Sequence, residues 1–222
     1  MHLVIISAAT RPQTKSNTAK IIAAFRQGYK QNGDTSELWY LSDRRQWKSA
    51  ADAFEENTNI LIAFPLYVES VPGILLEFLS GLKAKTQPGT KLAFICQGGF
   101  PEAAQSRCCE AFLETLPAKL GCVYAGTLIK GDMFGVSLVD EKNRQKMLLP
   151  FTEIGKYFSQ TGEFDKPTAD RFASPETMPQ NKIRSYNLIG RHISRFFMNR
   201  IAKGMGCKGR LDAKPYNDFI KH

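Results

Sequence analysis

The sequence has few of the residues that build metal centres and hydrolytic triads. Its three histidines, His2, His192 and His222, lie far apart, and its five cysteines form no C-x-x-C pair. We therefore expect neither a metal site nor a Ser-His-Asp arrangement. An odd number of cysteines fits a reducing compartment better than a disulfide scaffold, so we expect a cytoplasmic protein.

Long apolar runs and glycine-rich phosphate motifs are also missing. The longest apolar run covers residues 60–68, far short of the roughly 20 residues that cross a bilayer. The first residues lack the basic region of a signal peptide. Neither G-x-x-x-x-G-K-S/T nor G-x-G-x-x-G occurs. A phosphate group, if one is bound, must therefore be held by a different kind of loop.

Positive charge is concentrated at one end of the chain. The net charge is +9. Residues 182–222 contain ten Lys or Arg residues and two acids, a balance of +8 that leaves about +1 for residues 1–181. The nearly neutral part and the basic part therefore need separate interpretations.

Apolar runs alternate with segments of helical periodicity over residues 1–161. Strands are predicted at residues 3–6, 36–41, 59–64, 91–96 and 123–129, and the helices between them include one capped by Ser16 and one with Pro101 in its first turn. This alternation predicts an α/β fold, a doubly wound parallel sheet of five strands in the order 2-1-3-4-5. A ligand is then expected at the carboxyl ends of strands 1, 3 and 4.

Residues 162–222 are predicted to form an extension of the first domain. Pro167, Pro175 and Pro179 favour an extended linker over residues 162–182, and the periodicity of residues 183–203 predicts a basic amphipathic helix. Three uses of this helix stay open. We favour docking on its own domain or on a partner subunit, then contact with an anionic membrane surface, and last a nucleic acid.

Three loops at the expected ligand edge carry suitable side chains. The first, residues 7–18, is rich in hydroxyls and leads into a helix N-terminus, where Arg11 and the hydroxyls of Ser16 and Thr18 could hold a phosphate. In the loop after strand 3, Tyr67 could stack on a flat ring. After strand 4, Gly98-Gly99 allows close approach of the backbone. Taken singly, each is also compatible with an ordinary cap or turn.

Together these loops resemble those of NAD(P)H-dependent FMN reductases and other flavodoxin-like proteins. Thr10-Arg11 followed by Ser16-Asn17-Thr18 is similar to the loop that holds the FMN phosphate in those families. The segment after strand 3 is similar to the one beside the isoalloxazine ring, and the loop after strand 4 to the one that closes against it. The cofactor-binding residues implied by the resemblance are Thr10, Arg11, Ser16, Asn17, Thr18, Pro65, Leu66, Tyr67, Val68, Gln97, Gly98 and Gly99.

The resemblance implies an enzyme in which FMN carries the chemistry and no side chain is a separate catalyst. NAD(P)H would reduce the FMN, which would pass electrons to a small acceptor such as a quinone. A homodimer is the default expectation of the resemblance. Two other functions stay open: an electron carrier of the flavodoxin type, which the nearly neutral domain does not favour because flavodoxins are strongly acidic, and a flavodoxin-like binding module without catalysis.

Overall fold

The computed structural model describes residues 1–173, 175–204 and 206–209. Its contacts define two compact units, Met1–Thr177 and a second that begins at Met178. The strands are β1 (His2–Ser7), β2 (Thr35–Tyr40), β3 (Asn59–Pro65), β4 (Lys91–Gln97) and β5 (Val123–Lys130). The helices of the first unit are α1 (Asn17–Tyr29), α2 (Trp47–Glu56), α3 (Gly73–Ser80), α4 (Arg107–Lys119), α5 (Glu141–Thr161) and α6 (Lys166–Ala173). The second unit contains α7 (Gln180–Gly204).

The five strands form one parallel sheet in the order β2-β1-β3-β4-β5, which confirms the predicted topology. The strand order reverses between β1 and β3, because β1 pairs with both β2 and β3. In such sheets ligands bind at the carboxyl ends of the strands beside this reversal. The first unit has the flavodoxin-like arrangement of strands.

Helices cover both faces of the sheet, and alternate side chains of each strand supply the two halves of the core. Leu3 and Ile5 of β1 pack with α1 and α5, whereas Val4 and Ile6 pack with α2, α3 and α4. All four side chains are fully buried. This burial on both faces explains why the strands read as continuous apolar runs.

Two local predictions are wrong. Pro101 does not lie in the first turn of a helix, because a short 3-10 turn at Ala103–Ser106 precedes α4. The predicted extended linker at residues 162–182 contains α6, which packs along β5. Asp165 caps this helix by accepting a hydrogen bond from the N–H of Thr168 at 2.9 Å. The first compact unit therefore extends to Thr177, beyond the boundary after residue 161.

The basic extension forms a helix over Gln180–Gly204, slightly longer than predicted. The side chains of residues 185–189, 191–193 and 197 lie outside the described part of the chain, so the amphipathic face stays a prediction. Among the described residues, no helix is both long and apolar enough to cross a membrane.

Two glycines set the distance between α1 and α5. A Cβ atom added to Gly28 would lie 1.8 Å from the carbonyl oxygen of Thr152, and one added to Gly155 would lie 2.1 Å from the carbonyl oxygen of Phe25. The two backbones therefore approach more closely than any side chain permits. This contact places α1, and with it the loop after β1, on the sheet.

We predict that Gly28→Ala lowers the free energy of unfolding by about 2 to 3 kcal/mol, because the added methyl group forces the two helices apart. Urea unfolding of the purified protein measures the change. Gly73→Ala is the matched control, since a Cβ atom at Gly73 meets nothing within 4 Å. Equal stability of the two variants would contradict a tight contact between α1 and α5.

Candidate functional site

The loops at the carboxyl edge of the sheet are held by backbone hydrogen bonds that continue the strand pairing. The N–H of Ala8 donates to Ala63 O, that of Leu66 to Gln97 O, and that of Gly98 to Lys130 O, each at 2.8 Å. The loops after β1, β3 and β4 therefore start from fixed positions along one edge. This is the edge at which the sequence predicted a ligand.

Where the first loop leads into α1, the hydroxyls of Ser16 and Thr18 are buried. The hydroxyl of Ser16 accepts from the N–H of Ala19 at 3.2 Å, as the predicted cap should. The hydroxyl of Thr18 is buried and pairs with the Nε2 of Gln97 at 3.4 Å. Both hydroxyls thus have a partner within the protein, and their contact with a phosphate stays a prediction. The open donors at this helix end are the backbone N–H groups of Asn17 and Thr18, which precede the first intrahelical bonds.

Asn17 connects α1 to a fourth loop that the sequence did not single out. Its amide nitrogen donates to Met133 O at 2.9 Å and to Phe134 O at 3.4 Å, and its amide oxygen accepts from the hydroxyl of Ser137. Lys20 also donates to the hydroxyl of Ser137, at 3.0 Å. Asn17 thus positions the loop after β5, with its amide group engaged by the protein.

Tyr67 joins the loop after β3 to the first loop. Its hydroxyl lies 3.1 Å from the hydroxyl of Thr10. Tyr67 stays 43% exposed, so part of its side chain is available to a ligand. Thr10 and Tyr67, predicted from separate loops, are therefore brought together.

The segment after Tyr67 is a strained two-residue turn. Tyr67 and Ser70 exchange two backbone hydrogen bonds of 3.0 Å, and between them Val68 and Glu69 have φ angles of 49° and 59°. Positive φ is costly for a residue with a Cβ atom, and most of all for a β-branched one. Asp132, in the loop after β5, has the third such angle among the described non-glycine residues. All three lie at the candidate site, where backbone strain tends to concentrate.

The loop after β4 has open space beside Gly98 and packs closely against the loop after β5. A Cβ atom at Gly98 would meet nothing within 4 Å, whereas one at Gly131 would lie 2.3 Å from Phe100 O. The N–H of Met133 donates to Gly98 O at 2.9 Å. The loops after β4 and β5 therefore form one layer, with the backbone of Gly98 facing open space.

Exposed apolar side chains surround this edge. Phe100 is 67% exposed, Phe134 54% and Leu138 55%, and Val68 is almost fully exposed. Nearby, burial and the neighbouring Arg144 lower the pKa of Lys20. Arg11 is exposed and makes no hydrogen bond or ion pair with the described residues. The edge thus offers an apolar rim with a cation on the first loop.

Known proteins resemble this chain in structure only. No family model and no curated protein sequence matches it. An NADPH-quinone reductase from P. pentosaceus superposes with a TM-score of 0.52 at 16% identity over 70% of this chain and 98% of its own. The FMN-dependent NADH-azoreductase of Bacillus anthracis, in complex with FMN, superposes with a TM-score of 0.53 at 13% sequence identity. The match covers 73% of this chain and 99% of the azoreductase.

A third structure, the NAD(P)H:quinone oxidoreductase of Methanothermobacter marburgensis, gives a TM-score of 0.55 at 16% identity over 70% of this chain and 98% of its own. At such identities the likeness establishes the fold alone. The chain therefore has the flavodoxin-like α/β fold, as predicted.

We predict that Val68→Gly raises the free energy of unfolding by about 1 kcal/mol. Relief of the strain at positive φ is worth about 1 to 3 kcal/mol and outweighs the entropy cost of glycine, about 0.5 to 1 kcal/mol. Val123→Gly is the control, since Val123 is an exposed valine outside the positive-φ set, and it should destabilise the protein. Urea unfolding measures both; loss of stability in Val68→Gly would show that the turn is not strained.

Proposed function

We propose that this protein is an FMN-dependent oxidoreductase that transfers electrons from NAD(P)H through FMN to a small acceptor such as a quinone. One observation carries the proposal: the first loop, Tyr67 and the Gly98-Gly99 backbone lie together at one sheet edge, tied by the Thr10–Tyr67 and Thr18–Gln97 hydrogen bonds. The names of the three fold neighbours agree with it.

The first loop fits an FMN phosphate through its backbone. The N–H groups of Asn17 and Thr18 open the helix α1, where the helix dipole favours an anion. Ser16 and Thr18 hold the loop in shape from inside, and Asn17 holds it from the side. Among the predicted phosphate-binding side chains, Arg11 is exposed and positioned on the same loop to add a charged contact.

The other loops fit the isoalloxazine ring. The exposed ring of Tyr67 offers an aromatic face, fixed in place by Thr10. The backbone from Pro65 to Val68 and the backbone at Gln97, Gly98 and Gly99 would meet the polar edge of the ring. The open space beside Gly98 allows this approach without a clash.

Bound FMN would supply the redox chemistry, by accepting a hydride from NAD(P)H and reducing the acceptor. The protein's own contribution is to orient the ring and keep water from part of it. Phe100 and Phe134 are exposed aromatic side chains at this edge and suit a planar acceptor.

The first experiment is a visible spectrum of the protein mixed with FMN and then with NAD(P)H. Absorption bands at about 370 and about 450 nm that stay with the protein after gel filtration are expected of a bound flavin. Bleaching of the bands by NAD(P)H supports the reductase. Bound flavin without bleaching would favour an electron carrier. If no flavin binds, a flavodoxin-like binding module without catalysis is the function that fits.

A second experiment tests the phosphate contact. We predict that Arg11→Gln raises the Kd of FMN about threefold to tenfold, because an exposed charged hydrogen bond is lost. The Kd of riboflavin, which has no phosphate, should stay unchanged, as measured by quenching of flavin fluorescence. Arg171→Gln, at an exposed position on α6, is the control. An equal loss of affinity for FMN and for riboflavin would show that Arg11 does not contact the phosphate.

A further inference from the structure

The last part of the first unit wraps around the outer edge of the sheet and returns to the candidate site. We call residues 163–177 the strap; residue 174 lies outside the described part. The N–H of Phe164 donates to Ala125 O of the edge strand β5 at 2.9 Å. A Cβ atom at Gly126 would lie 2.1 Å from Phe164 O, so the strap is in close contact with the strand.

The far end of the strap caps the segment that follows the Gly98-Gly99 loop. Pro175 O accepts from the N–H of Ala103 at 3.0 Å, and Glu176 O accepts from the N–H of Ala104 at 3.1 Å. These N–H groups open the 3-10 turn before α4 and have no acceptor within it. Ala103 is fully buried, so its N–H group needs a partner from the protein.

An arginine on α4 fastens this end of the strap. The Nη2 of Arg107 lies 2.6 Å from the carboxylate of Glu176, and its Nε lies 3.1 Å from both oxygens. Arg107 also pairs with Glu110 at 2.5 Å and with Asp170 at 3.4 Å. Hydrogen bonds from Arg107 lower the pKa of Glu176, so the pair is charged at neutral pH. Several acids sharing one partly buried arginine make a stronger anchor than a single surface pair.

A lysine fastens the middle of the strap to the other side of the same loop. The Nζ of Lys130 donates to Phe172 O, near the end of α6, at 3.1 Å. The carbonyl oxygen of Lys130 accepts from the N–H of Gly98. Burial lowers the pKa of Lys130, as expected of an ammonium group partly removed from water. The strap is thus tied to both ends of the loop formed by residues 98–104.

We propose that the strap holds the loop after β4 in its site-forming position, and that Arg107 and Glu176 are the positioning residues that lock it there. The proposal rests on the proposed function for its consequence, since this loop would contact the flavin ring. Arg107 and Glu176 act through the backbone of Ala103 and Ala104.

Amide hydrogen exchange of the flavin-free protein tests the lock directly. In Glu176→Gln the amides of Ala103 and Ala104 should exchange about threefold to fivefold faster, the factor that corresponds to losing one charged surface pair. Arg107→Gln should have at least the same effect. In the double variant these amides should exchange only slightly faster than in Arg107→Gln, because both substitutions break the same interaction. Unchanged exchange in both single variants would overturn the proposal.

The control is Glu77→Gln, which breaks a similar two-bond pair with Arg44, at 2.5 and 2.7 Å. It should leave exchange at Ala103 and Ala104 unchanged even where it lowers stability. Titration with FMN then tests the consequence: the Kd should rise about threefold to fivefold in Glu176→Gln and stay unchanged in Glu77→Gln. Faster exchange with an unchanged Kd would overturn the positioning role.

Failure of the proposed function gives a different result. If the unaltered protein binds no flavin, the proposed function is wrong, and the expected change in the Kd of FMN no longer applies. The exchange rates of Glu176→Gln still decide whether the lock holds the loop, because they are measured without flavin.

Discussion

The candidate site depends on a backbone ladder that continues past the ends of the strands. The bonds from Ala8 to Ala63, Leu66 to Gln97 and Gly98 to Lys130 belong to loops, yet they follow the sheet's own pairing. Each loop therefore leaves the sheet at a fixed point and in a fixed direction. Loops that begin in this way need few side-chain contacts to keep a site in shape. Among those present, Thr10 with Tyr67 joins two loops, and Thr18 with Gln97 joins α1 to the end of β4.

The strain at this edge follows from the same ladder. The two-residue turn at Val68 and Glu69 can persist at positive φ because its ends are fixed by Tyr67 and Ser70 and its base by the sheet. A free loop would relax by rotating these residues into the ordinary region. The strain is thus balanced by sheet pairing elsewhere, which is the usual arrangement at a binding site.

Much of this architecture could be predicted, because the information is local. Apolar runs of a few residues, turn residues and the cap at Ser16 are read from neighbours in the sequence, and they gave the strand order and the ligand edge. The direction of the hydroxyl of Thr18 depends on Gln97, 79 residues away, so no local pattern could reveal it. The role of Asn17 depends in the same way on the loop after β5. The roles of the twelve predicted cofactor-binding residues stay predictions.

The wrong prediction of an extended linker has a physical explanation, and the sequence itself contains a signal for the helix found there. Three prolines favour an extended chain, but Pro167 is the second residue of α6, and proline is well tolerated in a first helical turn. Asp165, three residues before Thr168, is the capping residue and marks the start of the helix. A capping residue followed by proline should therefore be interpreted as a helix start before it is interpreted as a linker.

The strap also distinguishes the start of α1 from the segment before α4. Both begin at the carboxyl edge of the sheet, and both start with N–H groups that a helix cannot satisfy itself. At Ala103 and Ala104 the carbonyl groups of the strap occupy those donors. At Asn17 and Thr18 the side chains are engaged by the protein, and the backbone N–H groups precede the first intrahelical bonds. One segment of chain therefore pairs with the edge strand β5 and supplies the acceptors for the N–H groups that open the turn before α4.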